Sequence, residues 1–382
     1  MNGLLKDILM VLEDNGPLKA PEIANILGKT KGDVNSVLYT ALRTMDGLEK
    51  SDDYIWSYKG HRMIKISFDC SASWLSAEIV EQKLKQYPDL LKQKCGIEFD
   101  FSDKYLLLEC ILKILSLVNQ LAKAGSKVVI KFSPKSKGFS YLQRCGFFDN
   151  VDKTVKILPY RPKESLAKKY NSNSDNLFEI FEITHEYDDS LLDRIAELVG
   201  AKLSEEDVQK LLNKLLTLIG ELVDNIREHG LSAVSGYIAL QIYSSGKIMI
   251  AISDSGSGLI HTLRTEALNH YQDNDALNYF VTQSMENDIG LLGYVFNHGN
   301  ISRTGENGRG LGLSKSNNTL RKLSHDQVVG IVLTIRQQDN ELSFPFTTNG
   351  IEIEGCKPQL NLMYIQGTHY VLTIQLDKMI IN

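Results

Sequence analysis

Glu221, Asn225 and His229 stand four residues apart within Ile219-Gly-Glu-Leu-Val-Asp-Asn-Ile-Arg-Glu-His-Gly230. Around them Val208, Leu211, Leu212, Leu215, Leu216, Ile219, Leu222, Val223 and Ile226 repeat at helical spacing. That spacing predicts one long helix, with the three polar residues on one side of it beside the buried stripe. Ser204-Glu-Glu-Asp207 reads as a capping box at its start and Gly230 as its stop. A carboxylate, an amide and an imidazole close to a core cost free energy unless something pairs with them. The stretch alone also fits a solvated polar row on an amphipathic helix.

Three glycine-bearing segments follow. The strand-like run Lys247 to Ser253 ends in Asp254-Ser-Gly-Ser-Gly258. Gly305-Glu-Asn-Gly-Arg-Gly-Leu-Gly-Leu-Ser314 comes later, and Gly367-Thr368 opens a second strand-like run, His369 to Leu376. Glycines let backbone approach a ring or a phosphate unobstructed, and a loop running into a helix presents N–H groups to phosphate oxygens. Any one of these clusters is weak; the acid-bearing helix, DxGxG, GRGLGLS and GT in that order are specific. Together they resemble the nucleotide site of the GHKL superfamily, which holds histidine kinases, anti-sigma-factor kinases, type II topoisomerases, certain chaperones and mismatch-repair ATPases.

The resemblance implies ATP and Mg²⁺ as cofactors, with a role for each matching residue. Asn225 would complete an octahedral magnesium through its neutral oxygen. Asp254 would accept from the adenine amino group, Gly256 and Gly258 would admit the ring, and Thr368 would support the aspartate. Gly308, Gly310 and Gly312, with Leu311 between them, would offer amides to the triphosphate. Arg309 would add a charge-assisted contact, and Ser314 a helix cap or phosphate contact. Glu221, one turn before Asn225, would orient or deprotonate the attacking group. That group is water in topoisomerase-like relatives and a partner serine in anti-sigma kinases, whose spacing Glu221, Asn225 and His229 match. Arg227 and Glu228 read as solvated. Between Gly258 and Gly305 a lid is expected, with a helical insertion at about Asp273 to Met285 and a loop from Phe296 to Thr304 that carries Arg303.

Stepping outward, 382 residues with 43% hydrophobic content predict two or three domains with packed cores. A net charge of −5 excludes a general affinity for polyanions, so nucleic-acid contact would need a local basic face. Cys70, Cys95, Cys110, Cys145 and Cys356 are scattered and form no CxxC pair, which predicts reduced thiols in a cytoplasmic protein. No signal peptide is expected. Glu109 and Lys113 interrupt the most apolar stretch, Tyr105 to Ala122, making it a core helix, not a membrane span.

Residues 1–60 read as three helices (Leu4–Leu12, Ala20–Leu27, Lys31–Thr44) and a hairpin over Leu48–Ser57. Asp33-Val-Asn-Ser-Val-Leu-Tyr39 with Trp56 resembles a winged helix of the Z-form nucleic-acid-binding variety. The resemblance implies that Asn35, Tyr39 and Trp56, with Lys31, contact a backbone. The family's paired wing prolines are absent, Asp52 and Asp53 stand near there, and Lys29, Lys31 and Arg43 make a thin basic face. Such a face argues for weak binding or a protein partner.

Residues 61–162 alternate as strands at Met63–Phe68, Ile97–Phe101 and Lys127–Phe132. The intervening helix sets Glu109, Lys113, Ser116, Gln120 and Lys123 on one polar stripe, and Tyr141–Phe148 reads as a short capped helix. The unit resembles the STAS domain of anti-sigma-factor antagonists. Leu108, Glu109 and Cys110 stand where that family carries its phosphorylatable serine, and Ser102 and Ser116 do not match it. A spacer or dimerisation role is the preferred reading. Residues 163–175 read as a linker, and Leu177–Ile183 as the edge strand of the ATP-site domain, 176–382. His185-Glu186 lacks the arginine and proline of a histidine-kinase phosphoacceptor box.

The expected fold class is α/β multidomain: a winged helix-turn-helix, a small STAS-like α/β unit, and a C-terminal GHKL α/β sandwich with a mixed sheet and helices on one face. The expected function is slow ATP hydrolysis by a regulatory switch acting on a protein partner or a dimer, with no membrane contact. The alternatives are an anti-sigma-type serine/threonine kinase and a non-catalytic, nucleotide-gated nucleic-acid-binding regulator.

Overall fold

Strand residues of unlike character alternate through the C-terminal half, so the sheet they build has one oily face and one polar face. The computed structural model describes residues 3–45, 47–58, 63–93, 95–169, 176–184, 186, 190–201, 206–227, 232–271, 275–298, 328–347 and 350–376. They form two compact units, Met1–Ile64 with Cys95–Ile97, and Lys65–Lys94 with Glu98–Asn382.

In the first unit α1 (Gly3–Asn15), β1 (Leu18–Lys19), α2 (Ala20–Leu27) and α3 (Lys31–Leu42) precede a hairpin, β2 (Leu48–Lys50) and β3 (Ile55–Tyr58). Gly28 stops α2 in the left-handed conformation, and Thr30 caps α3 by accepting from the Asp33 amide at 3.1 Å. The strands lie in the order β1-β3-β2 over a core of Ile8, Leu12, Ile23, Val34, Leu38 and Trp56. Trp56 is only 1% exposed and packs edge-on against Tyr39, 5.1 Å between centroids. Its expected role as a surface contact is therefore corrected. An indole this size is worth more under the hairpin than in water, and it serves packing.

The second unit starts with β4 (Met63–Ser67), β5 (Trp74–Leu75), α4 (Ala77–Leu84), β6 (Gly96–Ser102), β7 (Tyr105–Leu106) and α5 (Leu108–Lys123). Next come β8 (Lys127–Phe132), α6 (Lys137–Cys145), α7 (Phe147–Asn150), β9 (Lys156–Leu158) and α8 (Leu166–Lys169). Strands β4-β6-β8-β9 make one sheet, and Phe101, Phe132, Phe139 and Phe148 pack ring to ring beside it. The chain just before the expected linker is pinned, because Arg161 donates to the carbonyls of Phe148, Val151, Asp152 and Val155.

The chain then forms β10 (Leu177–Ile183), α9 (Ser190–Gly200), α10 (Glu206–Asn225), β11 (Gly236–Ile242), β12 (Lys247–Ser253) and α11 (Leu259–Thr262). It ends with α12 (Asp275–Asn278), α13 (Met285–His298), β13 (Val328–Gln338), β14 (Asn340–Thr347), β15 (Gly350–Ile351), β16 (Lys357–Gln359) and β17 (Ile365–Leu376). The large sheet runs β10-β11-β12-β17-β13-β14-β15, with β16 on β14. A mixed sheet was expected, yet every described pair in it is antiparallel. Tight returns join β11 to β12 and β13 to β14, and a short return forces antiparallel pairing. The oily face carries Ile238, Leu240, Ile250, Ile252, Leu333, Ile335, Leu372 and Ile374 into a core shared with α9, α10 and α13. Leu291, Leu292, Val295 and Phe296 of α13 are fully buried there. Much of the expected lid is thus a fixed part of the core, because its apolar residues fall at helical spacing.

Helices on one face were expected; the second face is also covered. Of residues 61–162, read as a spacer or dimerisation unit, Lys65–Lys94 and the part from Glu98 onward lie in the same compact unit as the large sheet, and α5 packs on β11, β12 and β17. Register aligns Tyr237, Ser253, His369, Arg336 and Glu341 in one row across five strands of that face. The polar stripe of α5 meets this row, so Glu109, Lys113, Ser116 and Gln120 are buried. Lys113 donates to Glu81 at 2.6 Å and to Glu341 at 3.2 Å, and Arg336 donates to Glu81 at 2.9 Å. Burial pushes the Glu81 carboxyl up, but Lys113 and Arg336 outweigh it and hold the group at about 2. Among the described residues no helix is long and apolar enough to cross a membrane.

Glu81 tests this interface. Its folded value of about 2 lies below the ordinary 4.5, so the stability it supplies is complete above 4.5 and drains away toward pH 2. Glu81→Ala leaves buried Arg336 without its carboxylate and Lys113 with Glu341 alone, and should cost roughly 3–5 kcal/mol in urea denaturation at neutral pH. The variant should also show a shallower acid limb than the parent. A loss below 1 kcal/mol (roughly the scale of a surface pair) would mean that these charges do not anchor α5.

Candidate functional site

Strand β12 delivers Asp254 at the end of the sheet, and the turn that follows folds back on it. The Gly256 amide donates to Asp254 Oδ1 at 2.7 Å, and the Asp254 amide donates to the Thr368 carbonyl at 2.9 Å. Thr368 Oγ1 accepts from the Leu259 amide at 3.0 Å, which fixes the start of α11. Gly367 has φ +87°, and a Cβ there would lie 2.1 Å from the Asp254 carbonyl oxygen. Only glycine permits that approach, so DxGxG and GT are locked into one object.

Asn225, on the last turn of α10, faces the same place. With Ile226, Asp254, Gly258, Leu259, Thr262, Thr368 and Tyr370 it lines a cavity of about 60 Å³. That volume is well below the roughly 300 Å³ of a pocket that encloses a whole ligand. Asn225 Nδ2 is buried with no hydrogen-bond partner among the described residues. Burial pushes the Asp254 carboxyl up to about 7, against the hydrogen bonds from Gly256 and Thr368 that favour its ionised form. The Asn225 nitrogen is therefore the polar atom of this cavity that lacks a partner among the described residues, a state that buried donors rarely keep.

The other expected residues divide. Glu221 sits one turn before Asn225, is half-buried, and does not line the cavity. Gly308, Arg309, Gly310, Leu311, Gly312 and Ser314 lie outside the described residues, as do His185, Arg303, Glu228 and His229. Arg227 is not simply solvated, since it donates to Asp224 at 2.9 Å. Tyr370, Thr262 and Gln337 were not foreseen. Tyr370 lies two residues beyond Thr368 on the same strand face, a signal that alternation carries. Gln337 accepts from the Ile260 amide at 3.0 Å and is Thr368's register partner, which only sheet pairing reveals.

A larger cleft of about 610 Å³ opens beside α10, between β10 and α9. Glu182, Glu186 and Asp224 line it with Arg227, and it contains none of the glycine motifs. Its acidic lining would repel an anionic ligand.

In the first unit Lys31 is exposed, Asn35 half-buried and Tyr39 42% exposed on α3. The Lys50 ammonium lies 5.7 Å from the Tyr39 ring centroid and 4.3 Å from that of Tyr54. These residues form a small aromatic and basic surface. Compared with models of known protein families and with curated protein sequences, the chain matches none.

Asp254 makes the site's electrostatics measurable. Its folded value near 7 exceeds the ordinary 3.8, so the group penalises the folded state progressively as pH rises from 3.8 toward 7. Asp254→Asn removes the penalty. Thermal melts should show the variant gaining stability relative to the parent from about pH 4 to about pH 7, the window between the two values, and no further above it. Parallel pH profiles would place the ionised carboxylate in a solvated setting.

Proposed function

We propose that residues 176–382 form a GHKL-type ATP–Mg²⁺ site, behind a winged-helix unit and a STAS-like unit, and that the protein is a slow ATPase working as a nucleotide-dependent switch on a protein partner or a second copy. One observation carries the reading. Asn225, Asp254, Gly258 and Thr368, from three separated motifs, line one cavity.

Asp254, ionised on binding, would accept from the adenine amino group while Thr368 keeps the α11 end of the site in register. Asn225 would hold magnesium through its amide oxygen, and the ion would neutralise phosphate charge. Glu221 is the residue assigned to orient the attacking water. The first turn of α5, where a STAS phosphoacceptor would stand, holds Leu108, Glu109 and Cys110, all buried. A kinase reading therefore needs its acceptor serine on another protein.

Calorimetry with Mg–ATP on the full chain, followed by labelled ATP, separates the readings. Asn225→Ala should abolish magnesium-dependent binding, and Glu221→Ala should keep binding while turnover falls about a hundredfold or more, the scale of a general base. Release of free phosphate supports the switch, label on a partner serine the kinase, and binding without turnover the sensor. No heat with ATP or ADP from folded protein sinks all three.

A second reading, nucleic-acid contact by the first unit, draws on the exposed Tyr39 beside Lys50. Tyr39→Ala should weaken binding to a Z-prone duplex at low salt without unfolding the unit, because Trp56 holds the core. Equal binding by the variant, or none by the parent, leaves the surface to a protein.

A further inference from the structure

We infer that Gln120 of α5 is a positioning residue for the adenine side of the site, and that through it residues 65–162 and nucleotide binding are thermodynamically coupled. The inference rests on the nucleotide reading above and names its regulation.

Gln120 is 5% exposed, and its hydrogen bonds across the interface go to the residues beside Asp254 and Thr368, namely Ser255 and Gln366. Its Nε2 lies 2.9 Å from the Gln366 carbonyl, 3.1 Å from Ser255 Oγ and 2.9 Å from Ser116 Oγ. Its Oε1 accepts from the Gln366 amide at 3.0 Å. The side chain thus pairs with both backbone groups of Gln366, as a neighbouring strand would. Ser116 Oγ stands 3.1 Å from Ser255 Oγ and completes the cluster. Ser255 follows Asp254, and Gln366 precedes Gly367, whose close approach to Asp254 joins the turn after β12 to the first residues of β17. One buried amide therefore sets the positions of both segments from behind.

The same helix is tied at Lys113 to Glu81 on α4 and Glu341 on β14. Displacement of α4 or α5 against the sheet must either break the Gln120 bonds or drag those segments. There is room for such displacement. A cavity of about 170 Å³ lies between α5 and the sheet, lined by Glu109, Lys113, Ser253, Arg336 and His369. Glu109 Oε2, Ser253 Oγ and both His369 ring nitrogens are buried without hydrogen-bond partners among the described residues. Ser253 and His369 are the immediate neighbours of Asp254 and Thr368, so the void adjoins the segments that Gln120 holds. Coupling of this kind is reciprocal: if α5 sets nucleotide affinity, nucleotide must tighten α5.

Titration calorimetry on the full chain tests this with three probes: Mg–ATP, adenosine and Mg–tripolyphosphate. Gln120→Ala should weaken ATP and adenosine about tenfold, as loss of two to three hydrogen bonds implies, and leave tripolyphosphate unchanged. Gln120→Glu keeps the acceptor for the Gln366 amide, loses the donations, and should fall between. Hydrogen exchange across 108–123 should slow with ATP in the parent and not in Gln120→Ala. Unchanged ATP affinity in Gln120→Ala, or equal weakening for tripolyphosphate, overturns the inference alone. A parent chain that binds none of the probes overturns the nucleotide reading and this inference with it. If Gln120→Ala does not fold, Ser116→Ala decides: about threefold weaker ATP binding supports the inference, on the scale of one shared hydrogen bond, and unchanged affinity sinks it.

Discussion

Burial of the polar stripe of α5 is the constraint around which the second unit is arranged. Residues Leu108 to Leu121 are all buried, because one side of the helix packs on its own small sheet and the other on the large one. A helix in that position cannot leave Lys113, Ser116, Asn119 or Gln120 to water, so each must find a partner across the interface. The large sheet supplies them from the row that register aligns: Glu341 for Lys113, Tyr237 for Asn119, and the turn at Ser255 for Ser116 and Gln120. Arg336 and Lys113 share Glu81, which keeps the buried charge close to balanced.

The consequence reaches the candidate site because the two faces of the sheet meet at its end. Side chains alternate along β12 and β17, so Ser253 and His369 turn toward α5 while Tyr370 turns toward the cavity. Burial, with Lys113 and Arg336 nearby, holds the His369 ring down to about 3 and therefore neutral.

Several elements were legible from local pattern. Strands β8, β10 and β12 and helix α2 begin and end where periodicity and glycine place them, since hydrophobic spacing and turn chemistry are properties of a few adjacent residues. Others were not. The helix expected at about Asp273 to Met285 proved to lie mainly at Met285–His298, where Leu291, Leu292, Val295 and Phe296 have a core to enter. Trp56 had the position of a surface reader and the environment of a core residue, and nothing in its neighbours distinguished the two.

What the sequence determined by itself was the inventory of chemistry and its local geometry. Asn225 at a helix end, Asp254 after a strand and glycines where backbone must come close are short-range facts, written within a few residues. What tertiary structure decided was partnership: that Gly367 presses on Asp254, that Gln337 supports α11, and that the amphipathic stripe of α5 faces a second sheet and not water. An amphipathic pattern states only that one face differs from the other. Which face meets solvent depends on what the rest of the chain brings to it, from as far away as Gln366 is from Gln120.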